Sequence, residues 1–365
     1  MRRPSATSEA AESARFPARS TTPGRRHRGW PQWQGLPHWN GWPRRCGVAI
    51  LLSLPLAACR PAPPQDAADA NRPLVLASVP PVTLLARAVG DGCARVEPLL
   101  ANARDSHTPS TTPSDLARLR RARVLVINGL GLEPYLPALL RAAENPDLRV
   151  IDSSVAVAPV LTQGRPDPHV WLDPQRALRQ LQAIQAGLSA AEPGCAAELA
   201  ARADSLRQSL LRLDRELATS LQPWRGALLV SSHPYVASFA DRYGLRAEAL
   251  VATPDTPPSP ADLRRVLAQL RRGGPRALLQ QPAESAGSIA ALGRELGLSP
   301  VRFDSIEAEP AAPDAGRVAI DGADPLGTYL QVMRANGQRL VAALRASGGA
   351  TAGSPPAGSD PQAAR

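Results

Sequence analysis

The sequence VLVING at Val124–Gly129 is the segment from which we predict the fold. Four consecutive apolar residues closed by Asn128-Gly129 are typical of a short parallel strand that is covered on both faces. Similar short apolar runs occur at 74–78, 96–100, 148–152, 227–231, 277–281 and 301–304. Because helical segments of about ten residues separate these runs, the pattern predicts doubly wound parallel sheets.

The longest periodic segment of the chain lies between two groups of these strands. Its leucines recur at helical spacing and form one apolar stripe, at Leu199, Leu206, Leu210, Leu213, Leu217 and Leu221. We therefore predict an α/β protein with two doubly wound parallel-sheet lobes, at 73–192 and 222–346, joined by one long rigid helix over 193–221. Ligands of such sheets bind at the carboxyl ends of the strands, which places a cleft between the lobes.

The charge of the chain is concentrated near its start. The 365 residues include no lysine and have a formal net charge of +10, of which residues 1–58 carry +7 from nine Arg and two Glu. The other 307 residues carry +3 (10 − 7) and show no basic face or stripe. We therefore predict no nucleic-acid partner.

The start of the chain has the features of an export signal. Arg44-Arg45 is followed by the apolar run Gly47–Ala58 and then Cys59, a run shorter than the roughly 20 residues that span a membrane. We interpret 1–58 as a leader and signal peptide of a periplasmic protein. Leu56–Cys59 resembles a lipobox, which would lipidate Cys59 and anchor the protein to a membrane; the alternative is an ordinary signal peptide that ends near a cysteine.

Composition also divides the remainder of the chain. Residues 59–72 are rich in Ala and Pro and predict a tether, and residues 347–365 predict a disordered tail. Cys93 and Cys195 would then lie in an oxidising compartment. They could pair, although their segments fall in different layers of the predicted fold.

Three histidines remain after the leader, and each follows an apolar run in a loop. These residues are His107, His169 and His233. Imidazole suits zinc, copper, iron and nickel, and a tetrahedral site needs one further donor. Asp324, just before the last helix, is the candidate. A site closed by four protein ligands carries or stores a metal, whereas a zinc hydrolase keeps one position open for water.

Other side chains near these motifs have predicted supporting roles. We expect Trp171 and Tyr235 to pack around the site and to exclude water. Glu133 and Asp173 could hydrogen-bond the second ring nitrogens of the histidines, or could serve only as helix caps.

These motifs together resemble the substrate-binding proteins of bacterial zinc and manganese ABC transporters, over roughly residues 73–346. The matching segments are His107 with Pro109 and Pro113-Ser114, Asn128-Gly129 with Glu133, Asp167-Pro168-His169-Val170-Trp171-Leu172-Asp173-Pro174, Ser232-His233 ahead of Tyr243-Gly244-Leu245, and Asp324-Pro325-Leu326-Gly327 ahead of Tyr329. The resemblance implies four ligands at His107, His169, His233 and Asp324, and two lobes joined by one long helix.

The resemblance also implies a function. Manganese-type members have a glutamate where this chain has His233, so imidazole at that position favours zinc. We expect a monomeric protein, not an enzyme, that captures Zn²⁺ and delivers it to the membrane permease of an ABC importer. Alternatives are a manganese- or iron-type member of the family, a binder of an iron chelate or corrinoid, and a zinc-storage or adhesin lipoprotein. A zinc hydrolase fits least, because the chain has no H-E-x-x-H motif.

Overall fold

Two four-stranded parallel sheets form the frame of the protein. The computed structural model describes residues 71–100, 110–254, 256–272, 276–282, 287–307 and 324–348. The leader, Cys59, most of the tether, His107 and nearly all of the predicted tail lie outside these described residues. The described residues all belong to one compact unit.

The first lobe begins with strand β1 and ends with a long helix. Its elements are β1 Leu74–Ala77, α1 Pro80–Gly90, β2 Arg95–Pro98, α2 Pro113–Arg121, β3 Val124–Ile127, α3 Leu136–Ala143, β4 Arg149–Asp152, the hairpin strands β5 Leu161–Thr162 and β6 Arg165–Pro166, a 3-10 turn at Val170–Leu172, and α4 Pro174–Ala191. The sheet order is β2-β1-β3-β4, with every neighbouring pair parallel. The β5–β6 hairpin is antiparallel and leads directly into the His169 loop.

The linking helix and the second lobe complete the described chain. Their elements are α5 Ala196–Leu221, β7 Leu228–Ser231, α6 Ala237–Tyr243, β8 Arg246–Ala249, α7 Pro260–Leu270, β9 Arg276–Gln280, α8 Ser288–Leu296, β10 Val301–Arg302 and α9 Pro325–Gly348. The second sheet has the order β10-β9-β7-β8 and is also parallel throughout. The predicted α/β class, with two parallel-sheet lobes and a long connecting helix, is confirmed.

A shared layer of helices lies between the two sheets. Helices α1, α4, α5 and α9 pack on one another, and their buried side chains form a continuous hydrophobic core with the inner faces of both sheets. Two smaller clusters cover the outer faces, one under α2 and α3 and the other under α7 and α8. Because the largest core crosses from lobe to lobe, the lobes share their buried surface.

Helix starts are specified by local sequence. Thr112 accepts a hydrogen bond from the Asp115 amide while the Asp115 carboxylate accepts one from the Thr112 amide, and Ser259 and Asp262 repeat this capping box at α7. Prolines occupy the first turns of most of the helices, where a missing N–H removes no hydrogen bond.

A disulfide joins the first lobe to the start of the linking helix. Cys93 follows α1 and Cys195 precedes α5, and their Cα atoms are 6.1 Å apart. We expected different layers to separate these cysteines. They pair because α1 and α5 lie in the same helical layer, and the Glu198 carboxylate lies 3.4 Å from each sulfur.

Two elements were missed by the sequence analysis, the β5–β6 hairpin and the edge strand β8. Among the described residues, no helix is both long enough and apolar enough to cross a membrane.

Candidate metal centre

Two histidines and a glutamate converge in the cleft between the lobes. The potential ligand atoms of His169, His233 and Glu307 all lie within 4.8 Å of one another, and all three residues are buried. His169 belongs to the loop between β6 and α4, His233 follows β7, and Glu307 follows β10. All three therefore lie on loops after strands, as expected for ligands of parallel sheets.

Glu307 bridges the two histidines. One carboxylate oxygen is 3.0 Å from Nε2 of His169 and the other is 3.9 Å from Nε2 of His233. The two imidazole ring centres are 5.5 Å apart. Two imidazoles and a carboxylate that direct their donor atoms to one point form a typical partial ligand set for a divalent transition metal.

Asp167 fixes the orientation of His169. Its Oδ1 accepts a hydrogen bond from the His169 backbone amide at 3.1 Å and lies 2.7 Å from Nδ1 of the ring. With Nδ1 facing a carboxylate, Nε2 is the nitrogen that faces Glu307 and His233. This carboxylate–histidine pair is the usual means of orienting a metal-binding imidazole.

Aromatic side chains enclose the histidines. Trp171 is fully buried with its ring edge against His169, and its indole N–H donates to the Ser305 carbonyl at 2.7 Å. Tyr235 is also fully buried, with its ring centre 5.1 Å from that of His233. Both aromatic residues therefore pack directly against the histidines.

A buried polar network in the first lobe supports the His169 loop. The Asn128 side-chain amide donates to the Pro168 carbonyl at 3.0 Å, and its oxygen accepts from Gln180 at 2.9 Å. The Asn128 backbone amide donates to Glu133 at 2.7 Å. The Asn128-Gly129 turn after β3 therefore holds the residue that precedes His169.

Electrostatics favour a charged His169 when no metal is bound. Burial by itself lowers the pKa of His169, but the charge of Glu307 and hydrogen bonds to Asp167 and Glu307 raise it, to about 10 overall. A metal ion that binds this imidazole must therefore displace a proton.

Of the other two predicted ligands, the structure describes only Asp324. His107 lies outside the described residues. Asp324 is exposed and lies at the start of α9, where its Oδ1 accepts a hydrogen bond from the Gly327 amide at 2.8 Å. It does not belong to the group formed by His169, His233 and Glu307.

Glu133 and Asp173 contact groups other than the histidines. Glu133 accepts hydrogen bonds from the Ser78 hydroxyl and from the amides of Asn128 and Gly129, and burial raises its pKa. Asp173 caps α4 through the Gln175 amide, and burial raises its pKa as well. In the described contacts, the capping alternative suits Asp173, whereas Glu133 binds the Asn128-Gly129 turn and does not cap α3. Asp167 is the carboxylate that lies next to a ring nitrogen.

Sequence reasoning missed Glu307 and Asp167. Glu307 lies three residues after the strand that we predicted over 301–304, so the rule that selected the histidines could have selected it. Asp167 was part of the quoted motif but had no assigned role. A second group of possible ligands in the described chain, Cys93, Cys195 and Glu198, contains the disulfide and is therefore not a comparable site.

Comparisons with known proteins show which proteins this chain is similar to. The family described as "Zinc-uptake complex component A periplasmic" matches residues 75–343. The high-affinity zinc uptake system protein ZnuA of Paracoccus denitrificans is 25% identical over 317 residues, covering 76% of this chain and 94% of that protein. The manganese-binding lipoprotein MntA of Halalkalibacterium halodurans is 26% identical over 143 residues, covering 38% and 47% of the two chains.

A solved structure shows the same fold with a metal. The crystal structure of a ZnuA deletion mutant with zinc bound has a TM-score of 0.64 and 26% identity to this chain, and the match covers 75% of this chain and 98% of that chain.

Proposed function

Since this chain belongs to the family of periplasmic zinc-uptake components, whose members bind metal for ABC-type importers, we propose that it captures Zn²⁺ and delivers it to a membrane permease. Proteins of this family are binding proteins rather than enzymes. The observation that carries the proposal is the group of His169, His233 and Glu307, which is buried and has its donor atoms within 4.8 Å of one another.

We propose His107 as the third imidazole of the site. It follows β2, and the carboxyl end of that strand lies at the same sheet edge as the ends of β3 and β4. With His107, the site would have three imidazoles and one carboxylate, which is a complete tetrahedral set. A complete set leaves no position for a reactive water and suits a carrier.

Glu307 is the carboxylate ligand that the geometry supports best. Its two oxygens already face His169 and His233, whereas the exposed Asp324 accepts a hydrogen bond from its own helix start. The sequence-based assignment of Asp324 stays a prediction that a direct comparison of the two carboxylates can test.

Zinc is the cargo that the donor set favours. Imidazole nitrogens suit zinc, whereas manganese prefers a larger share of oxygen donors. The resemblance implies a glutamate at the position of His233 in manganese-type members, so this histidine would carry the preference. A manganese or iron cargo is the alternative within the family.

The cellular setting follows from the same proposal. We propose a periplasmic, monomeric protein that is attached to a membrane through lipidated Cys59 and docks with the permease of its importer. The shared core of the lobes supports release by local loosening of the ligand loops rather than by a wide hinge movement.

The metal content of the mature chain, starting at Arg60 and purified without a metal-affinity tag, tests the site. We expect one zinc per chain, with affinity reduced at least about 100-fold in His169→Ala or His233→Ala, because each removes one of four ligands. Competition between Zn²⁺ and Mn²⁺ in the wild type and in His233→Glu tests the preference. A wild type that takes up neither metal, or one that prefers manganese, would contradict the proposal.

A matched pair of amide substitutions tests the carboxylate ligand. Glu307→Gln should weaken zinc binding about 100-fold, while Asp324→Asn should change it less than about threefold. The reverse order would identify Asp324 as the ligand. Asp304→Asn is the third member of the set, because Asp304 is buried in the same loop as Glu307. A large loss of zinc affinity in this variant alone would identify Asp304 as the carboxylate ligand.

A further inference from the structure

Asp167 forms hydrogen bonds to both lobes at once. It is fully buried. Its Oδ1 faces the amide and ring of His169, at 3.1 and 2.7 Å, on the first lobe. Its Oδ2 accepts hydrogen bonds from the amide of Ser238 at 3.0 Å and from the hydroxyl of Ser238 at 2.6 Å, on the second lobe.

The His169 contacts of Asp167 determine how the imidazole meets a metal. In the neutral ring that a metal requires, the carboxylate beside Nδ1 favours a hydrogen on that nitrogen, which leaves the lone pair of Nε2 directed at the site. Nε2 lies 3.0 Å from Glu307, so the oriented nitrogen is the one within reach of the other donors. Without the carboxylate, the ring could rotate or change tautomer.

The Ser238 contacts of Asp167 satisfy a helix start in the opposite lobe. Ser238 lies in the first turn of α6, where backbone amides have no acceptor within the helix. In the described contacts, Asp167 is the acceptor for the Ser238 amide. Exchange of this amide proton with solvent therefore reports whether Asp167 and α6 remain in contact.

We propose that Asp167 is a positioning residue that couples metal binding at His169 to the contact between the lobes at Ser238. This inference rests on the proposed zinc-binding function. A metal on Nε2 makes the Nδ1–H a stronger donor, which holds the carboxylate in the orientation that Ser238 also requires. Because coupling between two sites is reciprocal, moving α6 away from Asp167 loosens His169, and a docked partner could release the metal in this way.

Two variants separate the roles of the two carboxylate oxygens. Asp167→Asn replaces one acceptor oxygen by a donor, so the amide cannot accept from both His169 and Ser238. Ser238→Ala removes one hydrogen bond between the lobes and leaves the contacts of His169 intact. Ser220→Ala is the control, because its hydroxyl donates only within the linking helix, to the Leu217 carbonyl.

The measurements are zinc affinity by competition with a chromophoric chelator, the His169 tautomer in the zinc-loaded protein by long-range ¹H–¹⁵N NMR, and hydrogen exchange of the Ser238 amide with and without zinc. We expect Asp167→Asn to weaken zinc binding about 10- to 100-fold and to change the tautomer. Ser238→Ala should weaken binding about fivefold with the tautomer unchanged, and Ser220→Ala should match the wild type. Zinc should slow exchange at Ser238 in the wild type but not in Asp167→Asn.

The outcomes distinguish this inference from the function on which it rests. A wild type that binds no zinc contradicts the proposed function. A wild type that binds zinc while exchange at Ser238 stays the same, or a Ser238→Ala variant with unchanged zinc affinity, overturns the coupling alone. If Asp167→Asn does not fold, Ser238→Ala and the exchange of the wild type still decide the matter, because both keep the carboxylate.

Discussion

The two lobes share one strand order but hold their histidines differently. In each sheet the strands lie in the order second, first, third, fourth along the lobe. His233 follows the first strand of its lobe by two residues, and its carbonyl accepts a hydrogen bond from Ser231 in the same loop at 2.7 Å. His169 lies 17 residues beyond the end of β4 at Asp152 and is reached through a hairpin.

The longer loop takes part of its support from the opposite lobe, in addition to the Asn128 contact within its own lobe. The indole of Trp171, beside His169, donates to the Ser305 carbonyl, and the Trp171 carbonyl accepts a hydrogen bond from Tyr329 at 2.7 Å. The Asp167 carboxylate binds Ser238. Topology therefore determines where loops can meet, whereas the length of a loop determines how much of its support must come from elsewhere in the molecule.

Loss of the disulfide should lower the stability of the protein more than any of the other substitutions, and the destabilised part should be the first lobe. Cys93→Ser should lower the free energy of unfolding by about 4–5 kcal/mol, because the bond closes a loop of about 100 residues, with a sequence separation of 102. Urea unfolding would measure this change. Cys195→Ser and the double variant should show the same loss, and a loss that differs between the two single variants would contradict the expectation.

Gly129 should tolerate alanine least among the turn glycines. Its φ is +82°, and an added Cβ would clash with the side chains of Asp152 and Ser154, so Gly129→Ala should cost about 3 kcal/mol. Gly131, with φ +81° and no atom within 4 Å of such a Cβ, is the control and should cost about 1 kcal/mol.

A third glycine for this comparison, Gly244, lies in the second lobe. Gly244→Ala should fall between the first two, because its Cβ would meet the flexible side chain of Arg225. Thermal or urea unfolding of the three variants gives the order of their stability losses. Equal losses of stability in Gly129→Ala and Gly131→Ala would contradict the steric argument.

The supports of the two histidine loops can be compared directly. Asn128→Ala leaves the half-buried Pro168 carbonyl without this donor and deprives the buried Gln180 of an acceptor, so we expect a loss of about 2 kcal/mol and weaker zinc binding. Ser231→Ala removes a single hydrogen bond and should cost about 1 kcal/mol. Denaturation and zinc titration of both variants test the difference. A larger effect at Ser231 would mean that the short loop is the more dependent one.

A further expected effect is the pH dependence of zinc binding. Because the pKa of His169 is raised to about 10, its imidazole is protonated at neutral pH without metal, and zinc must displace that proton. Apparent affinity should rise about tenfold per pH unit between about pH 6 and 8, or about 1.4 kcal/mol per unit. Zinc titrations at several pH values measure this slope, which should persist in His233→Ala and shrink in His169→Ala.

The same raised pKa determines how the stability of the metal-free protein changes with pH. A pKa that is higher in the folded than in the unfolded state stabilises the fold below about 6.5, the ordinary histidine value. This contribution is lost as the pH rises through about 10. The free energy of unfolding of metal-free His169→Gln should therefore lack this pH-dependent contribution.

Strong local patterns made much of the architecture predictable. The run at Val124–Ile127 is continuously apolar, the leucine stripe of the linking helix follows one helical period, and both elements lie where the sequence indicated. The edge strand β8 at Arg246–Ala249 was missed because its sequence RAEA has no β-branched or aromatic residue; its pairing with β7 makes it a strand. The β5–β6 hairpin contains only two residues in each strand, too few for a periodic signal.

The ligand set was less predictable than the fold. Histidine is rare in this chain, so His169 and His233 stood out, whereas acidic residues are common and many precede helices. Asp324 matched a helix start, but a carboxylate in that position can be occupied by its own helix, as Asp324 is by the Gly327 amide. Glu307 has no distinctive neighbours in sequence, and its proposed role as a ligand depends on the path of the loop after β10.

The Cys93–Cys195 bond also affects when the protein becomes stable. Disulfides form in oxidising compartments and are rare in the cytosol, and this family is periplasmic. The newly synthesised chain therefore lacks the crosslink that spans most of its first lobe. Without the disulfide, the newly synthesised chain is easier to unfold during passage through the membrane. The bond forms only in the periplasm, where it makes the protein more resistant to proteolysis.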